Sequence, residues 1–134
     1  MSKRASLFLI LGSGLAGVGV GTGAFGAHVL KGSLDPSMLS VFETAVRYQM
    51  YHALALCIVS ATMERYGLRQ FEPVGWLFLA GIILFSGSLY VLSLSGVRWI
   101  GVLTPIGGLA WMGGWALLAW KLLRVPRDGV SGSH

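Results

Sequence analysis

Charge is what this sequence has least of. Lys, Arg, Asp and Glu make up 11% of its 134 residues, while 54% are hydrophobic. A soluble domain carries about 25% charged residues, so a soluble fold of this size could not cover its surface. Acids are the scarcer sign, 5 against 10 Lys and Arg. Near the stretch where other polar groups gather, Glu43 is joined only by Asp35, which leaves no paired carboxylates for acid–base chemistry. Cysteine occurs once, as Cys57. That excludes a disulfide framework and a thiolate metal site, and Cys57 reads as a small apolar packing residue. There is no linker, repeat or low-complexity tract, so residues 1–134 read as one domain ending in a polar tail, 122–134.

Glycine, by contrast, is abundant. Gly12-Ser13-Gly14-Leu15-Ala16-Gly17 fits the GxGxxG spacing of a dinucleotide loop. The context argues against it. The helix that should follow, Val18 to His28, is rich in glycine, and no charge occurs from Ala5 to Leu30. Each glycine costs a helix in water about 1 kcal/mol relative to alanine. Such a helix has no solvent face.

The uncharged runs explain the composition better. They are Ala5–Leu30, Tyr48–Met63, Pro73–Val97 and Trp99–Trp120. A bilayer core takes about 20 apolar residues as a helix. The runs predict an all-α integral membrane protein, a bundle of four transmembrane helices near residues 5–28, 44–64, 74–95 and 99–121. The second run is short, and its helix must begin near Thr44 and hold Arg47 at its edge. The apolar N-terminus also resembles a secretory leader, but is about twice the usual length. The net charge of +5 reads as flanking charge of membrane helices, with no nucleic-acid partner. Lys3, Arg4, Arg65, Arg69, Lys121, Arg124 and Arg127 fall on one side of four spans, and Lys31, Arg47 and Arg98 on the other. The positive-inside rule then places both termini in the cytoplasm. Trp76, Trp99 and Trp120 lie near predicted helix ends, where an aromatic belt is expected.

In lipid the cost of glycine falls, and small residues let helices approach closely. A 3.6-residue period puts Ser13, Gly17, Gly21, Ala24 and His28 on one face of the first helix. We expect Gly17, Gly21 and Ala24 to be a packing face. Gly107 and Gly114 form a similar stripe on the last helix, which Pro105 is expected to kink.

The densest polar group lies within Leu34–Leu56. Asp35-Pro36 reads as a helix start, with Asp as N-cap and Pro in the first turn. Glu43 and Arg47 are four apart, as are Tyr48 and His52, with Gln49 between. A helix from Pro36 to Met63 is about 42 Å long against a core of ~30 Å, so its start overhangs the membrane. We expect Glu43, Arg47, Tyr48, Gln49 and His52 to form one hydrogen-bonded cluster with His28, either structural or ligand-binding. Unpaired polar groups in lipid are costly. Neither a metal site nor a catalytic residue stands out, and no cofactor is implied.

Two blocks carry a resemblance. GAFGAHVLK (Gly23–Lys31) followed by FETAVRYQMYHALAL (Phe42–Leu56) resembles the YgdD/YwdK-like family of small multi-pass membrane proteins. Gly23–His28 match its GAFGAH block, and Thr44, Ala45, Tyr48, Gln49 and His52–Leu56 match its second block. Thr104–Gly108 matches a TPIGG-like segment of the last helix. The resemblance implies four spans in a bacterial inner membrane and supplies no reaction, substrate or cofactor.

Four functions compete. A structural or accessory bundle, docking on a membrane complex or on itself, accounts for the glycine faces and the lack of soluble mass. A binding module would hold a lipid headgroup, quinone or other small polar ligand where the first two helices meet at their outer ends. A haem between His28 and His52 is disfavoured because a straight second helix sets them at different depths. A transporter or channel subunit lacks ionisable residues in its last two spans, and an enzyme lacks an acid–base pair.

Overall fold

The computed structural model describes residues 1–67 and 69–126, so the tail beyond, with Arg127 and His134, lies outside the described residues. Each apolar run folds as helix, and the helices form a bundle of four rods. The first rod is α1 (Lys3–His28), whose first turn is capped by the Ser2 hydroxyl accepting the Ala5 N–H at 3.1 Å. A 3₁₀ turn, Leu30–Gly32, leads to α2 (Pro36–Tyr66). Asp35 is its N-cap and accepts the N–H groups of Ser37 and Met38. The Ser37 hydroxyl and the Met38 amide on that carboxylate hold Asp35 below the usual Asp range. Gly67, at φ +61°, ends α2 in the left-handed conformation that glycine adopts without steric cost.

The third rod is α3 (Glu72–Gly81), a π-helical stretch (Ile82–Ser86) and α4 (Gly87–Ser95). A 3₁₀ turn, Arg98–Val102, precedes the fourth rod, α5 (Leu103–Leu123). Pro105 therefore sits in the first turn of α5, where its missing N–H breaks no intrahelical bond, and the kink expected from sequence has no cause. Three segments are long and apolar enough to cross a membrane: Lys3–Gly32, Arg69–Ser95 and Arg98–Leu123. The helix α2 falls outside that measure because it carries the interior polar groups. It is also the central rod, with Phe42, Ala45, Gln49, His52, Ala53, Leu56, Val59, Ser60 and Met63 among its buried residues.

The seam between α1 and α2 runs on a seven-residue repeat. Ala5, Gly12, Gly19 and Gly26 are all buried. A Cβ on Gly12 would sit 2.6 Å from the Ala53 carbonyl oxygen, and one on Gly26 would sit 3.0 Å from the Phe42 ring. On α2, Phe42, Gln49, Leu56 and Met63 repeat at the same interval and are buried. A period of 3.5 keeps one narrow stripe facing a neighbouring helix along its whole length, as in coiled coils. This corrects the expected packing face. Gly17, Gly21 and Ala24 are exposed, and a Cβ on Gly17 or Gly21 would meet nothing within 4 Å. The 3.6-residue stripe chosen from sequence lies on the side of α1 opposite to the seam. On α5, Gly107 and Gly114 are buried against Phe85 and Phe78 respectively.

Between lipid-facing helices there is little hydrophobic gain on association, so close packing and interhelical hydrogen bonds must hold them. Ser60 Oγ donates to the Ala5 carbonyl at 2.7 Å, joining α2 to α1. Ser86 Oγ donates to the Ala45 carbonyl at 2.8 Å, and Ser88 and Thr104 hydroxyls meet at 2.6 Å. Trp111 Nε1 donates to the Phe78 carbonyl at 3.1 Å, and its indole lies where a side chain on Gly81 would be. The π stretch begins one residue beyond Gly81. A side chain engaging the backbone ladder is a recognised origin of such a bulge. Among the described residues, no fully buried side-chain N or O atom lacks a hydrogen-bond partner.

Candidate functional site

The polar residues of α2 do not form one cluster. Gln49 and His52 are buried on different sides of α2, Tyr48 borders a recess, and Glu43 and Arg47 are exposed. Gln49 points into the seam with α1 and the third rod. Its Nε2 donates to the Leu15 carbonyl at 2.8 Å, and its Oε1 accepts the Tyr90 hydroxyl at 2.6 Å. The Tyr90 oxygen lies 3.4 Å from Thr22 Oγ1, so one chain of bonds ties α1, α2 and α4 together. Gly19, beside this chain, makes room for Met50, whose Sδ would lie 2.5 Å from a Cβ there.

His52 faces α5 instead. Trp115 Nε1 donates to His52 Nε2 at 3.1 Å, which makes Nε2 the unprotonated nitrogen. Nδ1 therefore carries the proton and donates to the Tyr48 carbonyl at 2.9 Å. The ring also stacks on Trp111, with centroids 3.8 Å apart and planes 3° from parallel. Both nitrogens and one face of the imidazole are thus committed to the bundle. Beside it a recess of about 320 Å³ opens between α2 and α5, bordered by Tyr48, Phe85, Gly108, Met112 and Trp115. The Tyr48 ring lies nearly parallel to Trp111, at 5.8 Å and 15°.

The remaining members of the expected cluster lie elsewhere. Glu43 and Arg47 are exposed and form no ion pair among the described residues. Both lie in the first half of α2, and two exposed side chains gain little from pairing where water reaches them. His28 is exposed on the free face of α1 and makes no contact with His52, so the two histidines share no site. Sequence reasoning missed Thr22, Tyr90, Trp111 and Trp115 as the partners of Gln49 and His52. The available signal was the Tyr90 hydroxyl, set in an uncharged run that must satisfy it internally. Among the described residues, no three His, Cys, Asp or Glu side chains come together as a metal site would require.

Residues 22–108 match the family described as a protein of unknown function, DUF423. That stretch contains Thr22, Gln49, His52 and Tyr90. A UPF0382 membrane protein of Staphylococcus haemolyticus is 47% identical over 112 residues, covering 84% of this chain and 91% of the relative. A UPF0382 membrane protein of Staphylococcus aureus is 49% identical over 112 residues, with coverage of 84% and 91%. The UPF0382 membrane protein YwdK of Bacillus subtilis is 44% identical over 113 residues, with coverage of 84% and 92%. No solved structure matches the chain at a significant level. With a bundle of long apolar helices and relatives that match nearly end to end, the chain belongs to the UPF0382/DUF423 family of small membrane proteins.

Proposed function

We propose that the protein is a non-catalytic accessory bundle of the bacterial inner membrane, and that it works by associating within the bilayer through the outer face of α1. One observation carries this reading. The helix α1 lies against α2 through Ala5, Gly12, Gly19 and Gly26, and its opposite face presents Gly14, Gly17, Gly21 and Ala24 uncovered. Small residues on a lipid-facing helix leave a shallow surface onto which another helix backbone can close. The bundle's own seams do not use them. The chemistry of the interior agrees with a scaffold, because Gln49 and His52 are held by partners within the protein.

The reading includes α2 as a fourth crossing. Support comes from its two ends. Ser2 N–H donates to Glu64 at one end of the α1–α2 pair, and Gly26 meets Phe42 at the other. A helix that accompanies α1 over that length crosses whatever α1 crosses. Lys3, Arg4, Arg65, Arg69, Lys121 and Arg124 then gather at one end, which the positive-inside rule assigns to the cytoplasm.

The test is purification from native membranes in gentle detergent, followed by mass spectrometry of what co-elutes. A stoichiometric protein companion, or a second copy, is expected. Gly17→Leu should reduce it about tenfold, the effect of roughly 1.4 kcal/mol, while leaving the melting temperature of the bundle nearly unchanged. Gly12→Leu should instead damage the fold itself by about 1–3 kcal/mol or more, since overpacking a filled seam forces helices apart. A monomer with no companion would refute the reading. A second reading, a module for a small lipid-soluble molecule, draws on the recess beside His52. Recovery of a bound small molecule in place of a protein companion would favour it.

A further inference from the structure

At the end of the bundle where α1 begins and α2 ends, the two acids among the described residues, Glu64 and Glu72, are already engaged. Glu64 accepts the Ser2 N–H at 2.8 Å and lies 3.9 Å from the Met1 amino group. Glu72 takes Arg4 Nε at 3.2 Å and Trp76 Nε1 at 3.3 Å on one carboxylate oxygen. The Arg4 guanidinium also lies 5.9 Å above the Trp76 ring. Arg69, at the start of the third rod, has no acidic partner among the described residues. It stands at the head of a groove of about 710 Å³ that runs down α3 past Glu72, Pro73 and Trp76 to Leu77 and Ala80.

We propose that this groove seats one anionic phospholipid, with its phosphate against Arg69 and the upper part of an acyl chain along Pro73, Leu77 and Ala80. Three features converge on that occupant. The groove is cationic at its mouth and apolar below, which is the polarity of a lipid entering from the interface. The carboxylate that would repel a phosphate, Glu72, is neutralised by Arg4. From Arg69 to Ala80 the rod descends roughly 17 Å, close to half of a ~30 Å hydrocarbon core. Trp76, amphipathic and exposed, borders the groove below Arg69, and its indole N–H is already bonded to Glu72. The guanidinium of Arg69 supplies a forked donor suited to phosphate oxygens. The site lies at the opposite end of the protein from Glu43 and Arg47, and it does not depend on how α1 associates.

The experiment is native mass spectrometry of the purified protein in micelles containing equal phosphatidylglycerol and phosphatidylcholine of identical chains. The protein should retain phosphatidylglycerol about fivefold over phosphatidylcholine, the preference one well-placed cation gives near an anionic headgroup. Arg69→Gln should bring the ratio close to one, and Arg69→Lys should keep most of it. Arg124→Gln serves as control. Its guanidinium belongs to the same end of the bundle but lies 4.2 Å from the Trp120 ring, and its loss should leave the ratio unchanged. A wild-type ratio near one overturns the proposal, as does a ratio that survives Arg69→Gln. Equal loss in Arg124→Gln would show diffuse attraction to a basic surface and overturn the site as well. Loss in Arg69→Lys as complete as in Arg69→Gln would also overturn the proposal, because a positive charge at the mouth of the groove would then not suffice to select the anionic lipid.

Discussion

At the scale of single residues, Gln49 and His52 are held in opposite ways. Gln49 bridges two rods through both ends of its amide, whereas His52 is clamped between an indole N–H and its own helix backbone. Hydrogen bonds between membrane helices average well below 2 kcal/mol because the unfolded helices also find partners in lipid. Gln49→Leu and Tyr90→Phe should each cost about 1 kcal/mol. The double change should cost less than the sum, since either change alone strands the other group. Equilibrium unfolding in mixed detergent micelles measures all three. Simple additivity would mean that the bond is not formed in the membrane. That Gln49 and His52 need hydrogen-bond partners was legible from their polarity inside an apolar run. Their direction was not. Glu43–Arg47 and Tyr48–His52 have the spacing of helix pairs, yet spacing along one helix does not say which neighbouring helix each side chain meets.

At the scale of elements, the long apolar runs and the Asp35-Pro36 helix start were readable because they depend on local chemistry. The packing face of α1 was not. Both Ser13–Gly17–Gly21–Ala24 and Ala5–Gly12–Gly19–Gly26 are stripes of small residues in the sequence. The first follows the period of an isolated helix, and the second follows the slightly shorter period that a supercoiled partner imposes. Choosing between them requires knowing where α2 lies. The extent of α2 was nearly readable, Pro36–Met63 against the observed Pro36–Tyr66, but its burial was not. Its polar residues are satisfied within the bundle, so its mean hydropathy understates how much of it is shielded from water. The consequence is a parity argument. With α2 crossing, the chain makes four passes and its two ends share a side; with three passes they do not. Lys3→Cys and Arg124→Cys, in a Cys57→Ser background, should react with a membrane-impermeant maleimide only after the cell is opened. Labelling of one but not the other in intact cells would remove α2 as a crossing.

At the scale of the whole molecule, the bundle is asymmetric in what it leaves uncovered. The third rod and α5 present bulky apolar residues outward, such as Ile83, Leu94, Leu109 and Met112. These suit fluid acyl chains. The outer side of α1 also exposes Ile10, Val18 and Phe25, but Gly14, Gly17 and Gly21 leave a shallow strip beside them, and lipid chains fill such a strip less well than a second helix does. That contrast is the basis for placing association on α1. The most direct test is photo-cross-linking in native membranes, again in a Cys57→Ser background, with a benzophenone maleimide attached at Gly17→Cys or at Ile83→Cys. The account predicts one discrete cross-linked species for Gly17→Cys, at twice the protein's mass for self-association or at another fixed mass for a different subunit, and none for Ile83→Cys. Cross-linking that is lacking at Gly17→Cys, or no greater there than at Ile83→Cys, would contradict it.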